Sequence, residues 1–317
     1  MEKINKVCVI GGGGFVGRHI VHLLQAAGYA VRVPTRRYES AKDLIVLPNV
    51  ELIEANIHDA GALADLLTGM DAVINLTGIL HEGSAHRGNF QQVHVALPGK
   101  IAQACAAQGV RRLLHMSALG ADAQAKSAYL RSKAGGEAAV RAAEALAVTV
   151  FRPSVIFGPE DNFLNQFAAL LRRLPVLALA CGDAKLQPVF VEDVARAFVS
   201  SLERLETFGQ AYTLCGPKVY TLQQLVQYVS ALQQRRRWIF TLGPRASYYQ
   251  AWLLEKLPGK LMTRDDYHAL SGNSVCDGAF PAVFGFQPTA LESIAPQYLG
   301  PQAMISSYDA WRGRARR

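Results

Sequence analysis

Long hydrophobic runs are absent from this chain of 317 residues, although half of its residues are hydrophobic. The longest candidate, residues 175–181, falls far short of the roughly 20 residues that a helix needs to span a bilayer. We therefore expect no transmembrane segment. The apolar residues 7–10 lead straight into glycines without a cleavage-site pattern, so we expect no signal peptide either. Charged residues are also few, 18% of the chain, which suits a compact globular protein and excludes a disordered one.

Cysteine is scarce and shows no paired spacing. The five cysteines are Cys8, Cys105, Cys181, Cys215 and Cys276. An odd number of scattered cysteines excludes a complete disulfide framework, and the lack of a CxxC motif excludes the usual zinc spacing. We interpret all five as small hydrophobic core residues in a reducing, cytoplasmic setting, with one reactive thiol as the alternative.

No set of residues in the sequence has the spacing of a metal site. His81 and His86 lie five positions apart in a stretch that contains glycine, and neither a carboxylate set nor a cysteine set accompanies them. Because zinc sites combine several such ligands, we predict a solvated loop here and no metal.

Acidic residues are outnumbered, since 25 aspartates and glutamates face 33 lysines and arginines and give a net charge of +8. The excess is concentrated at residues 235–237 and in the tail, at Arg312, Arg314, Arg316 and Arg317. Such clusters attract nucleic acid or anionic lipid. No nucleic-acid-binding signature accompanies them, so we predict a solvated loop and tail and no nucleic-acid partner.

An aromatic and apolar stripe follows the first arginine cluster, at Tyr248, Tyr249, Trp252, Leu253 and Leu254. Two interpretations remain open. The stripe either packs into the core or forms a helix that faces a membrane or a partner protein.

The first half of the chain alternates strand and helix patterns. Short apolar runs predict strands at 7–10, 30–33, 50–53, 72–76, 112–116 and 148–151. Helical spacing of apolar residues predicts helices at 15–27, 60–67, 95–108 and 129–146. This order predicts an α/β fold, a Rossmann-type doubly wound parallel sheet covered on both faces.

The regular alternation ends after Pro153. Further helices are predicted at 163–173, 192–204, 222–233 and 246–257, with a last strand at 211–214. We predict that residues 1–155 form the Rossmann part. Residues 156–317 are predicted to complete the sheet and to form a small C-terminal substrate-side lobe. Since no linker or repeat interrupts the chain, we expect one compact unit.

A glycine-rich turn separates the first predicted strand from the first helix, and Gly11, Gly14 and Gly17 give it GxxGxxG spacing. Gly11 permits a tight turn, and Gly14 lets the backbone approach a pyrophosphate at the helix N-terminus. Gly17 lets the helix pack close to the sheet. The turn therefore predicts a dinucleotide site formed by Gly11, Gly13, Gly14, Phe15, Val16 and Gly17.

The end of the second strand distinguishes the two nicotinamide dinucleotides. An acidic residue there would bind the ribose 2′-hydroxyl of NAD(H), but the sequence has no carboxylate before Glu39. Instead it offers Thr35, Arg36 and Arg37, with Arg18 just after the glycine turn. Guanidinium groups match a 2′-phosphate, so we predict NADP(H) rather than NAD(H), with ordinary surface charge as the alternative interpretation.

The candidate catalytic residues are Tyr129, Lys133 and Ser117. Tyr129 and Lys133 are four residues apart, on one face of a predicted helix. A nearby ammonium stabilises tyrosinate, so Tyr129 could exchange a proton with a substrate oxygen. Ser117 ends the fifth predicted strand, where its hydroxyl could polarise a carbonyl. The alternative is an ordinary surface pair on a helix.

The motifs together resemble the extended and atypical short-chain dehydrogenases. In particular, the chain resembles the family of the NADPH-binding accessory subunit of respiratory complex I (alpha-subcomplex subunit 9) and its bacterial relatives. The resemblance includes the glycine turn, the basic strand end and the YxxxK helix. It continues through residues 115–120, 152–163, 187–194, 216–222 and 261–265.

This resemblance implies a bound NADPH on a one-domain α/β body, held also by Ile57, Asp59, Leu76, Thr77, Gly78, Lys133, Arg152 and Pro153. It further implies contact with a respiratory complex or with the periphery of the inner membrane. The chain departs from relatives at Asn56, where many have an aspartate that touches adenine, and at His94, where many dehydrogenases have asparagine. The interval from Ser117 to Tyr129 is also shorter than in sugar-nucleotide epimerases.

Three functional hypotheses follow. The first is an oxidoreductase or epimerase-like enzyme, in which Tyr129 is the acid or base, Lys133 tunes it and Ser117 orients the oxygen. The second is an accessory or assembly protein that holds NADPH without turnover. The third is a redox-sensing regulator with the same fold. No residue set in the sequence specifies which small molecule is the substrate.

Overall fold

The computed structural model describes residues 3–82, 89–257 and 261–300. His86 and the four arginines of the tail lie outside the described residues.

The described residues form thirteen strands and ten α-helices. The strands are β1 (Lys6–Ile10), β2 (Ala30–Thr35), β3 (Val50–Glu54), β4 (Ala72–Asn75), β5 (Arg112–Met116), β6 (Ala147–Pro153), β7 (Ile156–Phe157), β8 (Val176–Leu179), β9 (Lys185–Leu186), β10 (Val189–Phe190), β11 (Ala211–Leu214), β12 (Tyr220–Thr221) and β13 (Trp238–Thr241). The helices are α1 (Phe15–Ala26), α2 (Ala60–Leu67), α3 (Leu97–Ala107), α4 (Ala128–Arg141), α5 (Phe163–Arg173), α6 (Val191–Ser201), α7 (Leu222–Leu232), α8 (Pro244–Leu254), α9 (Arg264–Ser271) and α10 (Leu291–Leu299).

The chain divides into two compact units, of which the first takes the described residues of 1–153, 191–214 and 281–286. Its centre is a seven-stranded sheet in the order β11-β6-β5-β4-β1-β2-β3, with every neighbouring pair parallel. The strand order reverses between β1 and β4, and ligands bind at such a switch point, beyond the carboxyl ends of the strands. The predicted doubly wound α/β fold is confirmed, and each strand predicted from the sequence corresponds to one of these seven.

Apolar side chains from the sheet and its helices form the core of the first unit. The cluster joins residues of β1, β4, β5 and β6 to residues of α2, α3 and α4, and it includes Cys8 and Cys105. Burial raises the pKa of both thiols to about 12, so they remain protonated and unreactive. The interpretation as small core residues is therefore confirmed for these two cysteines.

A fully buried arginine joins two strands of this sheet to the end of a helix. The Arg112 guanidinium donates to the carbonyl oxygens of Ala147, Ser201 and Leu202 and to the hydroxyls of Thr149 and Thr207, at 2.7–3.2 Å. Two of these carbonyls lie at the C-terminal end of α6, where a cation is favoured by the helix dipole. Burial lowers the pKa of Arg112 to about 9, so it is charged at neutral pH.

Two helices of the first unit differ from their predicted extents. The helix predicted at 129–146 ends at Arg141, because Leu146 and Ala147 enter the turn and strand that lead into β6. Strand pairing thus overrides the helical preference of the alanine-rich segment. The helix predicted at 95–108 begins earlier, since a π turn over Gln91–Ala96 runs directly into α3.

The second unit takes the described residues of 154–190, 215–280 and 287–317. It contains the two-stranded pairs β7/β10, β9/β12 and β8/β13, none of which the sequence pattern predicted. Within this unit, Tyr249, Trp252 and Leu253 of α8 are exposed. The interpretation that the aromatic stripe packs into the core is therefore wrong for these three residues. Their neighbour Tyr248 instead packs edge-to-face against Tyr267 of α9, with ring centroids 5.6 Å apart.

A disulfide joins Cys215 to Cys276 in the second unit, with their Cα atoms 6.2 Å apart. The prediction that all five cysteines are free is therefore wrong for this pair. Because 61 residues separate them, the sequence gives no sign that they meet. Gln187 bridges the two cysteine-bearing segments. Its side chain accepts from the Cys276 N–H and donates to the Gly216 carbonyl oxygen. Cys181 is free and half-buried.

Among the described helices, none combines the length and the apolar character needed to cross a membrane.

Candidate active site

The glycine turn lies at the carboxyl end of β1, beside the point where the strand order reverses. Gly11 has φ +87°, a backbone conformation that side chains disfavour. A Cβ at Gly17 would overlap the Gly11 carbonyl oxygen and lie 2.6 Å from the Gly12 Cα, so α1 packs closely against the turn. Gly14 precedes the helix without a side-chain cap, and the first turn holds no acidic residue. The first N–H groups of α1, from Phe15 onward, therefore suit an anion.

The basic residues predicted to bind a 2′-phosphate gather beyond β2. The Arg18 guanidinium pairs with the Asp43 carboxylate at 2.9 Å and donates to the Ser40 carbonyl oxygen at 3.0 Å. Ser40 and Asp43 belong to a 3₁₀ helix, Tyr38–Leu44, that directly follows Arg36 and Arg37. The structure thus brings Arg18 to the segment that carries the other two arginines, both of which are exposed. Sequence reasoning missed Asp43, which holds Arg18 in place.

Thr35 ends β2, and the candidate cofactor contacts Ile57 and Asp59 follow β3. The Thr35 hydroxyl donates to the Arg37 carbonyl oxygen at 2.9 Å and fixes the turn after β2. Asp59 caps α2, where its carboxylate accepts from the Ala62 N–H at 2.8 Å. Ile57 packs against the core cluster of the first unit. Burial, Lys100 and Arg36 together lower the pKa of His58, so the charge of Arg36 reaches the loop between β3 and α2.

Lys133 and Ser117 lie at the carboxyl end of β5, and Lys133 also lies close to the loop after β4. The Lys133 side chain is buried, and its ammonium donates to the Met116 carbonyl oxygen at 2.7 Å. Burial lowers the pKa of Lys133 to about 8, an effect that Glu137 partly offsets. The neighbouring Ser117 hydroxyl is buried and has no hydrogen-bond partner among the residues that the structure describes. A Cβ at Gly78 would lie 3.9 Å from the Lys133 Nζ, so the lysine contacts both the end of β5 and the loop after β4.

Tyr129 lies one helical turn before Lys133 on α4. Its ring packs edge-to-face against Phe90, with centroids 6.0 Å apart, and against His94, with centroids 5.5 Å apart. The structure therefore places Tyr129 beside the π turn, in the same part of the first unit as Lys133.

Thr77 and Leu76 form the beginning of the loop after β4. The buried Asn75 accepts from both the N–H and the hydroxyl of Thr77, at 3.1 and 2.7 Å. The Asn75 amide donates to His115 Nδ1 at 3.1 Å. Burial, with the nearby Lys133, holds the pKa of His115 far below its usual value, so this ring stays neutral. The sequence indicated neither Asn75 nor His115 as a support of the loop.

Arg152 and Pro153 lie at the carboxyl end of β6. The Arg152 guanidinium forms a two-pronged ion pair with Glu137 of α4, with Nε 2.8 Å from the carboxylate. The Pro153 carbonyl oxygen accepts from the Leu119 N–H, which holds the segment after Ser117 against β6. Glu137 is therefore a second partner that sequence reasoning missed.

His94 is the most informative residue that the sequence left without a role. It is buried in the π turn, and it accepts a hydrogen bond from the Ile79 N–H at 2.9 Å. Its other ring nitrogen lies 2.8 Å from the Ser132 hydroxyl. The only signal in the sequence is a histidine where many dehydrogenases have asparagine. Within the described ranges, no group of three or more histidine, cysteine or acidic side chains could hold a metal ion.

Comparison with known proteins identifies a family and several relatives of this chain. Residues 7–215 match the model of the NAD dependent epimerase/dehydratase family. The chain is 32% identical over 301 residues to the Mus musculus protein "NADH dehydrogenase (ubiquinone) 1 alpha subcomplex subunit 9, mitochondrial", a match that covers 90% of this chain and 77% of the relative. This match confirms the resemblance inferred from the motifs. A ceramide reductase of Caulobacter vibrioides is 32% identical over 197 residues, 61% of this chain and 60% of the relative.

Among solved structures, the NADPH complex of an Escherichia coli NADPH-dependent quinone oxidoreductase superposes with a TM-score of 0.75. The match covers 92% of this chain and 99% of that one at 20% identity, so it shows a shared fold. The family description names NAD and this structure holds NADPH. A nicotinamide dinucleotide is therefore the supported class of cofactor.

Proposed function

Because this chain belongs to the NAD dependent epimerase/dehydratase family, we propose that it binds NADP(H) and interconverts a carbonyl and a hydroxyl group on a small substrate. The residues of the first unit fit this cofactor. The uncapped start of α1 suits the pyrophosphate, and Gly17 keeps the turn compact. Leu76, Thr77 and Gly78 lie on the loop next to Lys133, where the nicotinamide half would be held.

The basic segment after β2 favours the 2′-phosphate form of the cofactor. Arg36 and Arg37 are exposed at the end of β2, and Arg18 is anchored beside them by Asp43. No carboxylate ends β2, whereas one there would repel a phosphate. Asp43 neutralises part of the Arg18 charge, so Arg36 and Arg37 are the principal phosphate ligands of the proposal.

The single observation that carries the catalytic proposal is the buried Lys133 one helical turn after Tyr129, beside Gly78 and close to the buried hydroxyl of Ser117. When bound, the reduced nicotinamide supplies a hydride to the carbonyl carbon. Tyr129 donates its phenolic proton to the carbonyl oxygen, which becomes the hydroxyl of the product. The Lys133 ammonium stabilises the resulting tyrosinate. Ser117 donates a hydrogen bond to the same oxygen and polarises the carbonyl.

The first experiment measures nucleotide binding by calorimetry, with NADPH and NADH, on the wild type and on the Arg36→Ala/Arg37→Ala double variant. We expect the wild type to prefer NADPH and the double variant to lose about tenfold or more of that affinity, since each charged hydrogen bond contributes about 1.5–3 kcal/mol. NADH affinity serves as the internal control and is expected to change little. Equal binding of both nucleotides by the wild type would overturn the NADP(H) assignment.

The same preparations test the reaction. NADPH oxidation is followed by its loss of absorbance, with aldehydes, ketones, quinones and sugar nucleotides as candidate substrates. Tyr129→Phe removes only the phenolic proton donor, so we expect it to abolish turnover and to leave NADPH binding unchanged. Turnover that survives in Tyr129→Phe would exclude Tyr129 as the acid.

A second candidate function is a non-catalytic one, supported by the similarity to subunit 9 over 90% of this chain. In that case the protein holds NADPH as an accessory or assembly protein of a respiratory complex at the inner membrane. Tight NADPH binding without oxidation by any of the candidate substrates, together with co-purification with membrane-bound respiratory complexes, would favour this function. Turnover that depends on Tyr129 would favour the enzyme.

A further inference from the structure

His94 connects two segments of the proposed active site through opposite edges of its ring. One edge faces the loop after β4, where Nε2 lies 2.9 Å from the Ile79 nitrogen. The other edge faces α4, where Nδ1 lies 2.8 Å from the Ser132 hydroxyl. Ser132 lies between Tyr129 and Lys133, and its hydroxyl also contacts the Tyr129 carbonyl oxygen at 2.7 Å.

The partners of His94 determine where its ring proton lies. A backbone N–H can only donate, so Nε2 must accept from Ile79 and carry no proton. The proton of the neutral ring is then on Nδ1 and is donated to the Ser132 oxygen. Ser132 in turn donates its own proton to the Tyr129 carbonyl oxygen. Each donor in this chain has one acceptor, so the arrangement holds one tautomer.

The ring also stays uncharged. Burial, with Lys133 nearby, lowers the pKa of His94 to about 3. A protonated ring would turn a donor towards the Ile79 N–H and break the loop contact. The ring stacks on Phe90, with centroids 5.3 Å apart, and meets Tyr129 at an angle of 81°. Packing therefore fixes the plane of the imidazole as well as its protonation.

Glycines of two neighbouring segments lie against His94. A Cβ at Gly136 of α4 would overlap the His94 carbonyl oxygen, and a Cβ at Gly78 would lie 3.5 Å from His94 Nε2. The π turn Gln91–Ala96 is the local distortion that brings His94 between these two segments. Such turns interrupt α-helices frequently at functional sites.

We propose that His94 is a positioning residue that fixes the separation between the nicotinamide-binding loop, through Ile79, and the helix that carries Tyr129 and Lys133, through Ser132. The proposal rests on the proposed function, because its consequence is the placement of the nicotinamide ring relative to Tyr129. His94 itself transfers no proton in this scheme. Loss of its two hydrogen bonds releases the loop, so the nicotinamide half of NADPH becomes mobile while the adenine half stays bound.

The binding part of the test uses NADPH as the probe and needs no substrate, and turnover is measured separately with whichever candidate carbonyl the wild type reduces. His94→Phe keeps the aromatic ring and removes both hydrogen bonds. His94→Gln keeps an acceptor that can reach the Ile79 N–H. Ser132→Ala removes the hydrogen bond between His94 and α4, together with the one that the hydroxyl donates to the Tyr129 carbonyl oxygen, and keeps the contact of His94 with Ile79. Gln91→Ala, an exposed position of the same π turn, is the matched control. Each protein is titrated with NADPH by calorimetry, and the fluorescence lifetime of the bound nicotinamide reports how rigidly the ring is held.

We expect His94→Phe to weaken NADPH binding about tenfold, the loss of roughly 1.4 kcal/mol that one hydrogen bond contributes, and to shorten the nicotinamide lifetime towards that of free NADPH. His94→Gln restores the affinity to within about threefold of the wild type. Ser132→Ala keeps the affinity and lowers turnover of whichever candidate carbonyl the wild type reduces. Gln91→Ala changes none of these values.

Wild-type affinity and lifetime in a folded His94→Phe protein would overturn the proposal and leave the proposed function standing. A lower melting temperature with unchanged lifetime would assign His94 a merely structural role and also overturn it. If His94→Phe does not fold, unchanged turnover in a folded Ser132→Ala protein would overturn the proposal in the same way. A wild type that binds neither NADPH nor NADH would remove the proposed function itself, and the role of His94 with it.

Discussion

Lys133 shows at the scale of one residue how burial prepares a side chain for chemistry. Its ammonium is buried and hydrogen-bonded to a strand carbonyl, at a pKa of about 8. An ordinary lysine has a pKa of about 10.4 and would stay in water. The carboxylate of Glu137 is already engaged by Arg152, so it compensates the buried charge only in part. The fold thus holds a costly charge next to the phenol that the proposed reaction uses.

The cost of this charge gives a pH-dependent prediction. The folded-state pKa of Lys133 lies below the unfolded value, so between pH 8 and pH 10.5 the unfolded chain binds the extra proton. The charge therefore costs stability in full below pH 8, and the cost disappears as the pH rises through this window. We expect the free energy of unfolding of the wild type to rise by up to roughly 3 kcal/mol relative to Lys133→Met over this range.

Urea unfolding at several pH values between 8 and 10.5 checks this difference. Lys126→Met, at an exposed position just before α4, is the control and is expected to follow the wild type at every pH. A constant difference between wild type and Lys133→Met would show that Lys133 keeps an ordinary pKa.

At the scale of secondary-structure elements, α4 and the π turn pack so closely that one position of α4 has no room for a side chain. Gly136 of α4 lies against the carbonyl of His94 in the π turn, where a Cβ would overlap the oxygen. Gly99 of α3 is also helical, but its Cβ would make an ordinary contact, 3.7 Å from the Ala139 Cβ. Glycine weakens both helices relative to alanine. Only at Gly136 does close packing explain why the position has no side chain.

The two glycines therefore predict opposite effects of the same substitution. Gly136→Ala is expected to lower the free energy of unfolding by about 1–3 kcal/mol, because the Cβ forces α4 away from the π turn. Gly99→Ala is expected to raise it by about 0.5–1 kcal/mol, the usual gain of alanine over glycine in a helix. Chemical denaturation of the two variants measures both values. A stabilising Gly136→Ala would show that α4 and the π turn are not in contact as described.

At the scale of the whole molecule, the chain builds two units from interleaved segments. The sheet of the first unit is finished by β11, which comes after the first segment of the second unit. In the part of the second unit that the structure describes, the strands form two-stranded pairs instead of a large sheet. Its Cys215–Cys276 disulfide closes a loop of 61 residues that includes β12, α7, β13, α8 and α9. The cross-link therefore constrains the middle segment of this unit.

Reduction of the disulfide is expected to destabilise the protein. Loop-closure entropy for 61 residues gives a loss of about 4 kcal/mol on opening the cross-link. We expect a reducing agent to lower the melting temperature of the wild type. The Cys215→Ser/Cys276→Ser double variant is expected to melt at a lower temperature than the oxidised wild type, and the reducing agent is expected to leave that temperature unchanged. Thermal unfolding with and without reductant measures both. An effect of reductant on the double variant would assign the change to another group.

The sequence by itself determined the class of fold and the glycine turn that opens its first helix. Short apolar runs, helical spacing and glycine spacing are local properties, so they predicted the strands of the central sheet and the glycine turn between β1 and α1. They also predicted that Tyr129 and Lys133 share one face of a helix, because four residues make about one turn. The roles of these residues in catalysis and cofactor binding remain predictions.

Only the tertiary structure decided what surrounds those residues. Arg112 is of a residue type that usually lies at the surface, yet it is buried because carbonyls from β6 and α6 converge on it. Cys215 and Cys276 meet although nothing in their spacing pairs them. His94 gained its partners from a loop and a helix at separations of 15 and 38 residues. Contacts between residues so far apart in the sequence depend on how whole helices and strands pack, and a local pattern of residues does not predict that packing.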